Sequence, residues 1–267
     1  MEFAGRVAAV GERVRAWSVG DEVMGIVGGG AYAERLVVHE RQAMALPSSV
    51  DLADAAAIPE VWITAWDALV LQGGLRSGHV ALVHAGASGV GTAAIQVAKA
   101  VGARVAVTCS GAKAPACEAL GADLVVDYDH EDFVAGVKTL TGGVGVDVVL
   151  DVVGGDYLVR NVDALRIGGR IVQVGLLAGP EATFPLGALL PKRASIIGTV
   201  LRSRPLEEKI AVSQRFAREV VPLFDHGGCR PVIDRRFGLD EIADAHRYME
   251  TNANVGKILI DVAAPEA

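Results

Sequence analysis

From Val80 onward the chain alternates two periods. Short apolar runs at 80–83, 104–108, 124–126, 147–150 and 170–174 are separated, for the most part, by segments with helical spacing. Runs of that length predict short strands, and their alternation with helices predicts βαβ units, a parallel sheet and helices on both faces. The first fifty residues read differently. Strand-like stretches at 4–10, 22–27 and 32–38 are divided by Val19-Gly20-Asp21 and Gly28-Gly29-Gly30, the pattern of a small β unit. Asp51 then stands as the N-cap of a short alanine-rich helix. Pro59 opens another helix, whose apolar residues Trp62, Ala65, Trp66 and Leu69 keep helical spacing. Past Pro191 a β run at 195–201 leads into a helix with the stripe Ile210, Ala217, Val221 and Phe224, kinked or ended by Pro222. A helix at 239–249 and a strand at 257–262 close the chain.

Composition changes this picture mainly by exclusion. A chain of 267 residues, 51% apolar and 21% charged, folds into one large or two modest domains and is not disordered. Its 32 glycines stand well above the usual ~7% and fit a protein with tight turns and close backbone approaches. A net charge of −7 without a basic tract excludes nucleic acid as an expected partner. The three cysteines, Cys109, Cys117 and Cys229, form neither a disulfide framework nor a zinc pattern, so a reducing compartment is the default. The uncharged stretch 77–98 is long enough for a bilayer, but His79, His84, Ser88, Thr92, Gln96 and four glycines argue against a membrane span. Glu2 and Arg6 fall where a signal peptide needs an apolar core, and a cytoplasmic location is expected.

The chemistry concentrates at His84-Ala-Gly-Ala-Ser-Gly-Val-Gly91, between a strand and a helix expected to start near Val90. Glycines at such a turn let the backbone bend sharply and approach a pyrophosphate whose charge rests on the helix N-terminus. The motif is a variant of GxGxxG, with Gly86, Ser88 in place of the middle glycine, Gly89 and Gly91. Its strand–turn–helix setting predicts a Rossmann, doubly wound dinucleotide-binding sheet in an α/β protein. About twenty residues on, an acidic side chain would accept the ribose hydroxyls of NAD, yet no Asp or Glu occurs from Val97 through Cys117. Ser110 and Lys113 stand there instead. A hydroxyl and an ammonium are donors for a 2′-phosphate, so NADP is the expected cofactor.

Taken in order, Met1-Glu-Phe-Ala-Gly-Arg-Val, Val19-Gly-Asp-Glu-Val, Ala57-Ile-Pro-Glu, Thr64-Ala-Trp, the 84–91 motif and Asn254-Val-Gly-Lys257 resemble the zinc-independent quinone oxidoreductase branch of the medium-chain dehydrogenase/reductase superfamily. The resemblance covers essentially the whole chain. It implies an incomplete GroES-like catalytic domain at 1–57, a Rossmann NADP-binding domain at 58–205, and a helix and return to the catalytic domain at 206–267. It also implies site residues. Thr64 would lie near the nicotinamide ribose, and Ser88, Gly89, Val90 and Gly91 along the pyrophosphate. Ser110, Lys113 and Tyr128 would form the 2′-phosphate pocket, Gly175 and Leu176 would flank the nicotinamide, and Asn254 and Lys257 would fall in the C-terminal contact region.

Departures from the superfamily matter as well. Its zinc alcohol dehydrogenases carry Gly-His-Glu where this chain has Met1-Glu2, and a four-cysteine lobe where it passes from Gly20-Asp21-Glu22-Val23 directly to Gly28-Gly-Gly-Ala-Tyr32. No metal is therefore expected, and hydride transfer to an already electrophilic quinone or enone suits the residues better than metal-assisted alcohol oxidation. No residue is assigned as catalytic, and protonation from solvent is expected. Met1 opens onto a strand-like run that lacks its preceding partners, so the N-terminus reads as truncated. Two classes stay open: an NADPH-dependent reductase of quinones or conjugated carbonyls, and an NADPH-binding, crystallin-like or inactive protein that has lost its catalytic floor.

Three further expectations complete the reading. His246 lies on the stripe of Leu239, Ile242, Ala243 and Met249 and reads as a core or capping histidine. Cys109 and Cys117 read as structural thiols. The β-rich run 193–201 follows the last Rossmann strand, and pairing of that apolar edge with its copy predicts a homodimer, as in relatives.

Overall fold

The computed structural model describes residues 1–262, so residues 263–267 of the expected C-terminal segment lie outside the described part. Two compact units divide the chain. One is Thr64–Thr199, and the other joins Met1–Ile63 to the chain from Val200 onward.

The unit Thr64–Thr199 contains a six-stranded sheet. Numbered along the whole chain, with β1–β3 in the other unit, its strands are β4 (Val80–Val83), β5 (Arg104–Cys109), β6 (Leu124–Asp127), β7 (Val146–Asp151), β8 (Leu165–Gln173) and β9 (Ser195–Gly198). Every pairing is parallel, in the order β6-β5-β4-β7-β8-β9. The apolar runs explain the layering: all four residues of β4 are buried, as are five of the six in β5, because helices cover both faces. Phe133 and Val137 from the helix Phe133–Leu140, and Val162 from Tyr157–Ala164, close the core over Leu82, Val149 and Ile171. β8 starts earlier than the run at 170–174 predicts. Gly168 at φ 77° lets the strand bulge and resume in register with β7.

The other unit contains an antiparallel sheet of β1 (Glu2–Arg6), β2 (Glu22–Ile26) and β3 (Ala43–Ala45). It also contains a parallel pair of β10 (Ile233–Gly238) and β11 (Lys257–Asp261), joined through the helix Ile242–Glu250. The strand expected at 32–38 does not form. That segment finds no pairing partner among the described strands, Val37 is 98% exposed, and β2 takes β3 as its neighbour instead. The stripe on the helix Leu206–Glu219 also differs: Ile210, Ser213 and Phe216 are buried, with Val220 and Phe224 after it, while Ala217 and Val221 are half-buried. Pro222 ends the helix rather than kinking it, and sits in the first turn of a new short helix, Val221–Asp225. On Ile242–Glu250 the buried residue is Ala245. His246, expected in the core or at a cap, is exposed and meets Tyr32 edge-on at 6.3 Å, because the face of Ala243 and Met249 turns outward.

Candidate cofactor site

Parallel pairing places the ends of β4, β5, β6, β7 and β8 on one edge of the sheet. The chain runs outward from β4 to β5 and β6, then returns to β7 on the other side of β4, so the strand order reverses between β4 and β7. Open α/β sheets bind ligands at such a crevice. The turn after β4 packs tightly on itself and on β5. Ala85 sits at φ 54°, left-handed for a residue that is not glycine. A Cβ on Gly86 would stand 2.6 Å from that of Val107, and one on Gly91 would stand 2.2 Å from the Ala85 carbonyl oxygen. The Ser88 hydroxyl caps the following helix, Gly89–Ala100, by accepting from the Gly91 amide at 3.0 Å. Ser88 thus does more than replace the middle glycine: it fixes the first turn against which a pyrophosphate would rest.

Beneath this turn runs a polar chain that motif reading did not single out. His84 is fully buried, with Nδ1 3.0 Å from Thr108 Oγ1 and Nε2 2.7 Å from Asn161 Oδ1. Asn161 Nδ2 donates to Asp151 Oδ2 at 2.9 Å, and Asp151 Oδ1 accepts from the Val153 and Gly154 amides. Burial holds the His84 imidazole below its ordinary pKa, which favours the neutral ring. The available signal was a histidine closing an otherwise apolar strand.

The turn after β5 is open by contrast. Ser110 and Lys113 are half-buried, Gly111 and Ala112 exposed, and Ser110 makes no capping bond to the short 3-10 turn Gly111–Lys113. Tyr128, 41% exposed, follows β6, and its amide donates to the Cys109 carbonyl at 3.2 Å, so the expected 2′-phosphate residues share this corner. An acid absent from the 97–117 stretch also arrives here from the neighbouring strand. Asp127 Oδ2 would lie 2.6 Å from a Cβ on Gly111 and is 2.8 Å from His130 Nδ1. The His130 hydrogen bond holds the Asp127 carboxyl below its ordinary pKa, and the same bond raises that of His130. Cys109 and Cys117 are both buried, and a hydrogen bond between the thiols pushes Cys109 down and Cys117 up.

Gly175 and Leu176 follow β8, with Leu176 52% exposed. A Cβ on Gly175 would meet the Val152 carbonyl at 3.0 Å, which locks this loop to the one after β7. Thr64 is half-buried in the helix Pro59–Trp66. Asn254 and Lys257 belong to the other unit. Asn254 Nδ2 donates to the Gly256 carbonyl, and the half-buried Lys257 ammonium pairs with Glu2, whose second oxygen accepts from the Glu60 amide. The attraction of Glu2 raises the Lys257 pKa against the lowering effect of burial. That ion pair joins the two ends of the chain and is invisible to local spacing.

Residues 1–48 match the family model of the alcohol dehydrogenase GroES-like domain, and residues 89–218 match that of the zinc-binding dehydrogenases. The synaptic vesicle membrane protein VAT-1 homolog of Rattus norvegicus is 32% identical across all of this chain and 69% of its own length. A quinone oxidoreductase of Pseudomonas aeruginosa is 35% identical across 97% of this chain and 80% of its length. A solved NAD-dependent alcohol dehydrogenase superposes with a TM-score of 0.86 at 32% identity, over 97% of this chain and 81% of that one. No helix among the described residues is long and apolar enough to cross a membrane. The residues do not fit the zinc in one family's name. Among the described residues no three His, Cys, Asp or Glu side chains gather to hold a metal, the cysteines are free and buried, and Glu2 is engaged by Lys257. The nicotinamide cofactor implied by these relatives does fit, since the tight glycine turn after β4 leads straight into a capped helix N-terminus at the point where the strand order reverses. Motifs, fold and relatives agree that the chain is an oxidoreductase of the medium-chain dehydrogenase/reductase superfamily and belongs to its quinone oxidoreductase-like branch.

Proposed function

We propose that this protein is an NADPH-dependent reductase of quinones or conjugated carbonyls. The observation that carries the reading is the turn after β4, whose backbone and Ser88 cap suit a pyrophosphate, beside a turn after β5 that offers Ser110 and Lys113 and no acid of its own. When bound, NADPH would supply the hydride. Ser88, Gly89, Val90 and Gly91 would hold the pyrophosphate, Thr64 the nicotinamide ribose, and Gly175 and Leu176 the nicotinamide. Ser110, Lys113 and Tyr128 would take the 2′-phosphate, with the Asp127 charge moderated by His130. The parallel-sheet unit carries this assignment by itself. An electrophilic quinone or enone then needs positioning more than activation, and solvent can supply the proton. The kinship with a quinone oxidoreductase favours turnover over a binding-only role. Steady-state NADPH oxidation with ortho- and para-quinones tests the reading, and no oxidation with any of them would overturn it.

Two accompanying proposals concern assembly and location. β9 is an edge strand with Ile196 42% exposed, which supports a homodimer formed by pairing of this edge with its copy across a two-fold axis. Sedimentation of wild type and Gly198→Pro checks this: loosening in the variant is expected, and a wild-type monomer at micromolar concentration would end the idea. Three free, buried cysteines support a reducing, cytoplasmic setting, which fractionation of the native cell would verify or refute.

A further inference from the structure

The chain Thr108–His84–Asn161–Asp151 has a fixed proton direction. Asp151 accepts three N–H bonds, from Asn161 Nδ2, Val153 and Gly154, so the Asn161 amide must turn its oxygen to His84. His84 Nε2 therefore carries the proton and donates, and Nδ1 is left to accept from the Thr108 hydroxyl. Three side chains, Thr108, His84 and Asn161, thus donate in a single sense toward Asp151, which only accepts, an arrangement in which each bond polarises the next. The ring cannot swing, because Phe133 and Tyr157 meet it edge-on at 4.9 and 5.0 Å.

Both ends of this chain hold backbone that the cofactor would touch. Thr108 also accepts the Gly86 amide on its carbonyl at 2.8 Å, which ties it to the phosphate turn. Asp151 fixes the turn at 152–155, and that turn is zipped to the loop after β8 by Leu177 N–H to Val152 O at 3.1 Å and Ala178 N–H to Val153 O at 2.8 Å. Gln173 Nε2 adds bonds to the Asp151 and Gly175 carbonyls. We infer that Thr108, His84 and Asn161 are positioning residues that couple the pyrophosphate turn to the Gly175–Leu176 loop, so that one buried hydrogen-bond chain sets the orientation of the nicotinamide end without touching it. The inference rests on the proposed cofactor reading.

The test pairs Thr108→Val, which replaces the hydroxyl by a methyl of the same shape, with Thr108→Ser, which keeps the hydroxyl. On the protein alone, hydrogen–deuterium exchange at amides 153, 154, 177 and 178 is expected to quicken about tenfold in the Val variant while the central strands keep their rates. The Ser variant is expected to stay close to wild type. With NADPH and a quinone, the Val variant is expected to lose about tenfold in kcat, with KM for NADPH nearly unchanged. Its primary isotope effect with C4-deuterated NADPH should rise, and Ser should restore both. If Thr108→Val does not fold, Thr108→Ala removes the same hydroxyl without the second methyl and is read in the same way. Unchanged exchange at the four amides, or acceleration spread evenly over the sheet, would overturn the coupling. Wild-type protein that neither binds nor oxidises NADPH would instead defeat the functional reading, and the exchange result would still decide the network.

Discussion

The turn after β4 and the turn after β5 leave neighbouring strands of one sheet and each opens a helical segment, yet they are held on different terms. In the first, Gly91 is packed against the carbonyls of Ala85 and Gly86, Ser88 caps the helix, and His84 anchors the strand end to Thr108 and Asn161. In the second, Gly111 and Ala112 face solvent, Ser110 caps nothing, and the nearest obstruction to Gly111 is the far end of the Asp127 side chain. In the proposed assignment, the pyrophosphate turn is thus over-determined backbone, while the residues proposed to choose between dinucleotides are side chains at a more open surface. That division lets specificity vary without disturbing the fold.

Adding one methyl to each turn should break the symmetry most visibly. Gly91→Ala drives a Cβ into three backbone atoms at 2.2 to 2.6 Å, so a loss of about 3 kcal/mol is expected in urea unfolding, with cofactor binding abolished. A loss below about 1 kcal/mol would mean that the turn is softer than its packing indicates.

The buried histidine gives the next effect. Burial keeps the folded pKa of His84 below the ~6.5 of the unfolded chain, so above that pH neither state is charged and the group contributes no slope. Below it the unfolded state binds a proton that the folded state refuses, and stability falls by at most about 1.4 kcal/mol per pH unit. His79 is lowered in the same direction, so the contribution of His84 is the difference between wild type and His84→Gln in unfolding between pH 7 and pH 5. Parallel pH profiles for the two proteins would show that His84 is protonated in the folded state.

Gly111→Ala should be the mildest change. The obstruction is the end of one side chain, so about 1 kcal/mol is expected by urea unfolding, from displacing the Asp127 carboxylate off His130 and the Asp129 amide, with NADPH and NADH affinity altered far less than by Gly91→Ala. A cost equal to that of Gly91→Ala would erase the contrast between the turns.

The same contrast explains what was legible in the sequence. The apolar runs of β4 to β7 and the motif at 84–91 could be read because burial on both faces and tight backbone packing leave local marks. The segment 32–38 departs from its strand-like pattern because alternation shows what a strand could present, not whether a partner exists. The Asp127 carboxylate beside Gly111 and the Glu2–Lys257 pair join residues that lie far apart in the chain, and only the pairing of β5 with β6 or the closure of the unit that joins Met1–Ile63 to the chain from Val200 onward brings them together. His84 stands inside the motif, but its partners Thr108, Asn161 and Asp151 come from three other elements.

The most direct test of the central claim is calorimetric titration of NADPH and of NADH into wild-type protein and Lys113→Ala. Wild type is expected to bind NADPH more tightly than NADH. The variant is expected to lose about 1.5 to 3 kcal/mol for NADPH, the range for a hydrogen bond to a charged group, while NADH stays nearly unchanged. Equal losses for the two cofactors, or tighter binding of NADH by wild type, would contradict the assignment of the turn after β5.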